Sequence, residues 1–216
     1  MQTNIQEIGV KVQQATKRKS RWKKRTAALS RWLHLYLSMV CFVVVLFFAV
    51  TGLTLNHTEW FDGKQVEKKY EGKLPVAWVN NADTSKVQKL DIVEFLRSRY
   101  GVKGYVSDFL IEDEQISVSF KGPGYSADAF VKRNDGSLQL SELRMGVFAV
   151  LNDLHKGRDS GKGWGWLIDV SAVLLTLVSL TGLLMLLFLK KRRLNGLIVT
   201  VVGGIICYLI YLLYVP

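Results

Sequence analysis

Between Leu33 and Leu55 the chain reads LHLYLSMVCFVVVLFFAVTGLTL, 23 residues with no Asp, Glu, Lys or Arg and one histidine, His34. A helix of that length crosses a hydrocarbon core of about 30 Å. A second uncharged run, Val170 to Leu189, follows Asp169 and closes on Lys190-Lys191-Arg192-Arg193; a third, Leu194 to Val215, begins directly after that cluster. Three crossings follow, in keeping with 49% hydrophobic residues over 216 and a mean hydropathy of +0.16. A cleaved signal peptide is the competing reading of the first run. Its apolar core is too long for one, it lacks an A-x-A-like site, and roughly 30 residues precede it.

The charge pattern agrees. Of the net +11, residues 1–31 contribute +8 and Lys190 to Arg193 contribute +4, while the sequence between Asn56 and Leu189 is nearly neutral. A nucleic-acid-binding domain needs its surplus on the folded middle, so nucleic acid is not an expected partner. The two clusters instead mark the cytoplasmic ends of the crossings. The segment between the first two spans is then extracytoplasmic, and Lys17 to Arg25 rest on anionic headgroups of the lipid bilayer. Trp32, Trp60, Trp164 and Trp166 fall at the interfaces, where an amphipathic indole is stabilised. Cys41 and Cys207 lie inside spans, away from disulfide chemistry. The chain divides into a basic tail (1–31), a first membrane helix (32–57), a soluble segment (58–163), and second (164–190) and third (194–215) membrane helices.

Within the soluble segment, Trp60 to Asn81 is rich in charge, Gly and Asn, and reads as a loop or short strand. Asp83-Thr84-Ser85 is a plausible cap for a helix over Lys86 to Tyr100, with Val87, Leu90, Val93 and Leu96 at helical spacing. The period then changes. Tyr105 to Ile111, Gln115 to Phe120 and Tyr125 to Val131 are rich in β-branched and aromatic residues; Ile116, Val118 and Phe120 alternate with polar neighbours. Glu112-Asp113, Gly122-Pro123-Gly124 and Asn134-Asp135-Gly136 supply the turns. A fourth strand covers Leu138 to Leu140, and Arg144 to Lys156 reads as a helix leading back to the membrane. The expected fold class is an integral membrane α-helical protein, three transmembrane helices with a small inserted α+β domain.

Chemistry-bearing residues are few. The histidines are His34, His57 and His155, and none sits in the body of the soluble segment. His34 and His57 are about 34 Å apart along a continuous helix, on opposite membrane faces. His155 ends the helix that re-enters the membrane, at the depth expected for His57. Two imidazoles from different helices at one interface can ligate a b-type haem iron from both faces. The plainer alternative is that each ring tips an interface helix into headgroups or water. Thr51-Gly52-Leu53 and Thr181-Gly182-Leu183 repeat a small-residue motif that lets a helix or a flat macrocycle approach the backbone. Lys156, Arg158 and Lys162 are either haem-propionate partners or solvated cations. The sequence shows no nucleophile–base pair, no phosphate loop and no CxxCH.

Four blocks carry a family resemblance: Arg31-Trp32-Leu33-His34, Thr51-Gly52-Leu53-Thr54-Leu55-Asn56-His57, Leu154-His155-Lys156-Gly157 and Thr181-Gly182-Leu183. From about Arg31 to Arg193 the chain resembles the PepSY-associated transmembrane helix family, with a helix-then-meander that looks like a PepSY domain. The resemblance implies a bacterial inner-membrane protein with a cytoplasmic N-terminus and residues 58–163 in the periplasm. Larger relatives include haem-containing reductases of ferric siderophores. By that resemblance His57 and His155 are candidate axial ligands of a haem b iron, and His34 matches the family's histidine at the start of the first helix. With three histidines, one protomer cannot build two bis-His sites. A homodimer sharing two His34 copies, a non-His partner, or a membrane electron donor each resolves this. No nicotinamide or flavin fingerprint occurs, so reducing equivalents come from quinol or a partner protein. The expected function is haem-based electron transfer to a ferric-siderophore or another iron complex, as a reductase or its haem subunit. An anchored PepSY interaction module without redox activity is the alternative. Transport is weaker, since only Asp169, near a span edge, is acidic.

Overall fold

Membrane helix and sheet alternate along the chain. Helix α1 (Gln2–Asn56) contains the first apolar run and continues upstream through the basic flank. A 3-10 turn (Thr58–Phe61) leads to strand β1 (Val66–Lys73), the short helix α2 (Val76–Val79), a second 3-10 turn (Thr84–Lys86) and helix α3 (Lys89–Tyr100). Strands β2 (Tyr105–Ile111), β3 (Gln115–Gly122), β4 (Tyr125–Lys132) and β5 (Ser137–Arg144) follow, then helices α4 (Val147–Lys156), α5 (Gly161–Phe188) and α6 (Arg193–Tyr214). This computed structural model describes residues 2–61, 65–81, 83–189 and 191–216, with side chains from 21 onward. Lys190, the side chains of Lys17, Arg18 and Lys19, and residues 62–64 of the expected loop lie outside the described residues.

Among the described residues three helices are long and apolar enough to cross a membrane: Arg21–Asn56 of α1, α5 and α6. The chain is a membrane protein with an α+β domain. Its elements fall into two units, Leu46–Asp169 and Met1–Val45 with Val170–Pro216. On α1 the least exposed positions recur at Ser30, His34, Leu37, Cys41, Val44, Phe48 and Thr51, a spacing alternating between three and four that places them on one face. That face is rich in small and polar residues, as in membrane helices whose backbones pack closely.

The sheet is antiparallel, in the order β1-β5-β4-β3-β2. Its inward residues Ile116, Val118, Phe120, Ala127, Ala129, Val131, Leu138 and Leu140 form one core with Ile92 and Leu96 of α3. The alternation expected for β3 is present, and β2 has the expected bounds. Several readings are corrected. Of the two readings of Trp60–Asn81, the strand holds, and it is longer than expected: Val66–Lys73, eight residues, pairs along its whole length with β5. Helix α3 starts at Lys89, because Asp83 caps a separate turn by accepting from Ser85 N (3.0 Å). Leu90 is consequently exposed, and Ile92 takes the core position. Strand β5 extends to Arg144, so α4 begins three residues later than expected. Gly136 adopts φ +70° in its hairpin, where an added Cβ would strike the Leu74 carbonyl.

Two polar contacts hold this unit. Arg133, 9% exposed, donates to four carbonyls: Val79 O (3.1 Å), Asn81 O (2.5 Å), Glu112 O (2.8 Å) and Asp113 O (3.2 Å). One guanidinium thus ties the end of α2 to the β2–β3 turn. Tyr105 Oη donates to Asp159 Oδ1 (2.7 Å), clipping the loop after α4 to β2. That bond to the Asp159 carboxylate raises the Tyr105 hydroxyl above its ordinary pKa.

Arg133→Met leaves those carbonyls short of a donor and is expected to lower the unfolding free energy of the full chain in detergent by about 3 kcal/mol, with Arg133→Lys losing less. Chemical denaturation followed by near-UV circular dichroism measures it; an unchanged midpoint for Met contradicts the stapling role. The Tyr105 contribution is complete below the ordinary tyrosine range and is lost as pH rises through the raised value. Wild type and Tyr105→Phe therefore differ in thermal midpoint at neutral pH and converge in strong alkali.

Candidate functional site

Two histidines are held in the same way, one in each unit. Thr51, on the least exposed face of α1, donates its hydroxyl to Phe47 O (2.6 Å), as helical threonines commonly do four residues back. His155 Nδ1 lies 2.6 Å from the same oxygen. The neighbouring Gly52 lies beside the ring, where an added Cβ would stand in ordinary contact, 3.5 Å from His155 Cε1. Phe48 meets the imidazole edge-on, with centroids 5.1 Å apart. One helical turn along, Thr54 Oγ1 donates to Asn152 Oδ1 (2.9 Å). Trp164 Nε1 donates to Leu154 O (2.8 Å), and its ring lies edge-on to Phe47. This indole is therefore engaged with protein, unlike Trp166, which is exposed as an interface anchor should be.

The other unit repeats the pattern. Thr181 donates to Leu177 O and Val178 O (both 2.9 Å), and His34 Nδ1 lies 3.1 Å from both Val178 O and Thr181 Oγ1. Here the glycine is the closer fit: an added Cβ at Gly182 would come within 3.1 Å of His34 Cε1. The two Thr-Gly motifs thus do more than bring helices together. Each seats an imidazole.

The partners differ in kind: Val178 O can only accept, so His34 Nδ1 meets it as a donor, whereas His155 Nδ1 meets the Thr51 hydroxyl, which can donate or accept. His57 is placed differently. It follows the end of α1 and stacks on Trp60 with centroids 3.8 Å apart and planes 7° from parallel. Its Nδ1 is 3.4 Å from Glu59 Oε1, and Nε2 is 3.5 Å from Asn56 Nδ2. No described hydrogen bond or ring contact joins His57 to His155. His155 docks at Thr51, six residues before His57, roughly 9 Å along a helix axis.

Imidazole nitrogen is a usual ligand of haem iron; of the two expected axial residues, His155 has Nδ1 on Thr51 and His57 has it 3.4 Å from Glu59. A metal-ligating histidine commonly gives its other N–H to an oxygen, which sets ring and tautomer, and His155 and His34 both have an oxygen at Nδ1. Among the described residues no cluster of three or more His, Cys, Asp or Glu gathers for a bare ion. Cys41 is buried and Cys207 exposed, both as free thiols. Of the cations after His155, Arg158 Nε lies 3.7 Å from Asp153, while Lys156 and Lys162 are exposed. Sequence reasoning missed Thr51 and Thr181 as the groups that hold the rings. The available signal was a Thr-Gly pair recurring wherever a histidine approaches from another segment.

A family model described as "Putative PepSY_TM-like" matches residues 28–216. No curated protein and no solved structure matches the chain.

The unequal clearances give a test. Gly52→Ala meets ordinary contact and gains helix propensity, so thermal stability in detergent holds or rises. Gly182→Ala crowds His34 and lowers it. Thr51→Val removes the partner of His155 Nδ1, at a cost of about 1–3 kcal/mol, while Thr181→Val costs less because Val178 O still accepts from His34 Nδ1. Equal effects of the two glycine changes would contradict the geometry.

Proposed function

The chain belongs to the PepSY_TM-like family, and from that premise we propose that it is a haem-binding electron-transfer protein of the bacterial inner membrane. It assists reduction of a ferric-siderophore or another iron complex at the periplasmic face. One observation carries the reading: His155 and His34 are each held through Nδ1 by an oxygen of another helix, 2.6 Å and 3.1 Å away, inside or beside apolar helices. Titratable groups in such places are costly to keep and mark function.

His155 and His57 are the residues that would hold a haem b, with His34 the ligand of a separate centre. Bound there, the group supplies one-electron chemistry. The chain's own part is positional. Thr51 holds the His155 ring, Gly52 lies beside it, and Phe48 and the Phe47–Trp164 pair keep its surroundings apolar. The sheet domain presents the iron complex, and no protein acid or base is needed for outer-sphere transfer. Electrons arrive from quinol or a membrane partner, and a homodimer allows two His34 rings to share a centre.

A second reading, an anchored module that binds a protein partner, is favoured by one feature. The sheet face opposite α3, with Ser117, Ser119, Asp128, Phe130 and Gln139, is uncovered among the described residues.

Absorbance spectra separate the two. Wild type purified in detergent after growth with ample haem precursor shows a Soret band, and dithionite sharpens the α and β bands. His57→Ala and His155→Ala abolish them, and Thr51→Val shifts them by freeing the ring. Colourless wild-type protein under the same supply leaves the anchored module.

A further inference from the structure

Helix α4 runs antiparallel to the end of α1, and three contacts set its register. These are His155 on Thr51 (2.6 Å), Asn152 on Thr54 (2.9 Å), and the Phe148 ring on the Phe61 ring (4.5 Å between centroids). On another side Asp153 Oδ2 accepts from Gly124 N (2.8 Å), so α4 stands between an apolar helix end and the sheet. Even so, no residue of α4 is buried.

The uncovered side is apolar at its start. Val147 is 72% exposed and Phe148 is also exposed; Trp60, adjoining Phe61, is 65% exposed with its other ring face on His57. The Phe61 and Phe148 rings touch, so the exposed Trp60 and Val147, each next in sequence to one of them, flank one shared apolar contact. A Val or Phe side chain left in water forgoes part of the stabilisation that burial would give it. The patch is continuous along the chain with exposed apolar residues of the membrane helix, Val50 and Leu53. At the other end of α4, Lys156 and, beyond it, Lys162 have no carboxylate partner among the described residues. An apolar edge beside uncommitted cations is the surface chemistry of an interfacial helix on anionic lipid.

We propose that α4 and the Thr58–Phe61 turn form a lipid seat. Trp60, Phe61, Val147 and Phe148 insert into the headgroup–acyl boundary at the membrane face where α1 ends, and Lys156 and Lys162 meet headgroup phosphates. The sheet, joined to α4 through Gly124, is held at the bilayer surface. The seat needs no cofactor and stands whether or not haem binds.

The test uses the full chain reconstituted in phosphatidylethanolamine–phosphatidylglycerol vesicles. In a Cys207→Ala background, with Cys41 buried and unreactive, nitroxide labels are placed at Val147→Cys and, as an aqueous reference, at Phe130→Cys on the open sheet face. Power saturation with oxygen and a water-soluble nickel chelate reads depth. At 147 oxygen access exceeds nickel access; at 130 the order reverses. Nickel access at 147 equal to that at 130 overturns the proposal. Low access to both reagents at 147 overturns it equally, because protein rather than lipid then covers the patch. Both positions are exposed, so neither label disturbs packing, and circular dichroism of each variant verifies that.

Discussion

An imidazole packed among apolar helices has one N–H that needs an acceptor and one lone pair left over. Everything of chemical interest in this chain follows from how that N–H is placed. A helix offers few acceptors, since its carbonyls are already engaged, and a hydroxyl bonded four residues back is one of them. Thr51 supplies it for His155, Thr181 together with the Val178 carbonyl for His34, and Gly182 leaves room beside the His34 ring that a Cβ would crowd. The same contact sets the depth and register of the segment carrying the ring. For His155 this is seen directly: the bond to Thr51 and the parallel bond between Asn152 and Thr54 dock α4 along the end of α1.

Much of the fold was legible because burial imposes a period. The three apolar runs, strand β2 and the alternation of Ile116, Val118 and Phe120 are direct readings of which side faces water or lipid. What escaped had its hydrophobic signal diluted. Strand β1, VEKKYEGK, is an edge strand in which only Tyr70 packs against the core, so its sequence does not separate a loop from a short strand. Leu90 misled because the three-residue turn capped by Asp83 shifts the start of α3, rotating Leu90 outward and Ile92 inward. Arg133 gave no sign of its role. A lone arginine in a turn-rich stretch says nothing of four carbonyls converging from segments far apart in sequence.

The site was legible in kind and not in arrangement. Counting histidines and placing them at membrane faces singled out His34, His57 and His155, and the repeated Thr-Gly pair was visible as a motif. That the pair and the rings belong together depends on helices meeting in space, which neither periodicity nor spacing encodes. His57 illustrates the limit. Its nearest groups are Asn56, Glu59 and Trp60, all within a few residues, so local sequence alone decides its surroundings.

The sheet order also bears on assembly during synthesis. Strands β2 to β5 follow one another and pair as neighbours, so they can zip up as they emerge. Strand β1 leaves the ribosome first but must wait for the last, since Val66 pairs with Arg144 and Lys73 with Ser137. Long-range pairing of this kind is entropically slow. A nascent chain already tethered through α1 therefore carries an unmatched strand until β5 arrives, and α4, only three residues further, docks almost at the same moment. Closure of the sheet and capture of His155 are in that sense a single late event.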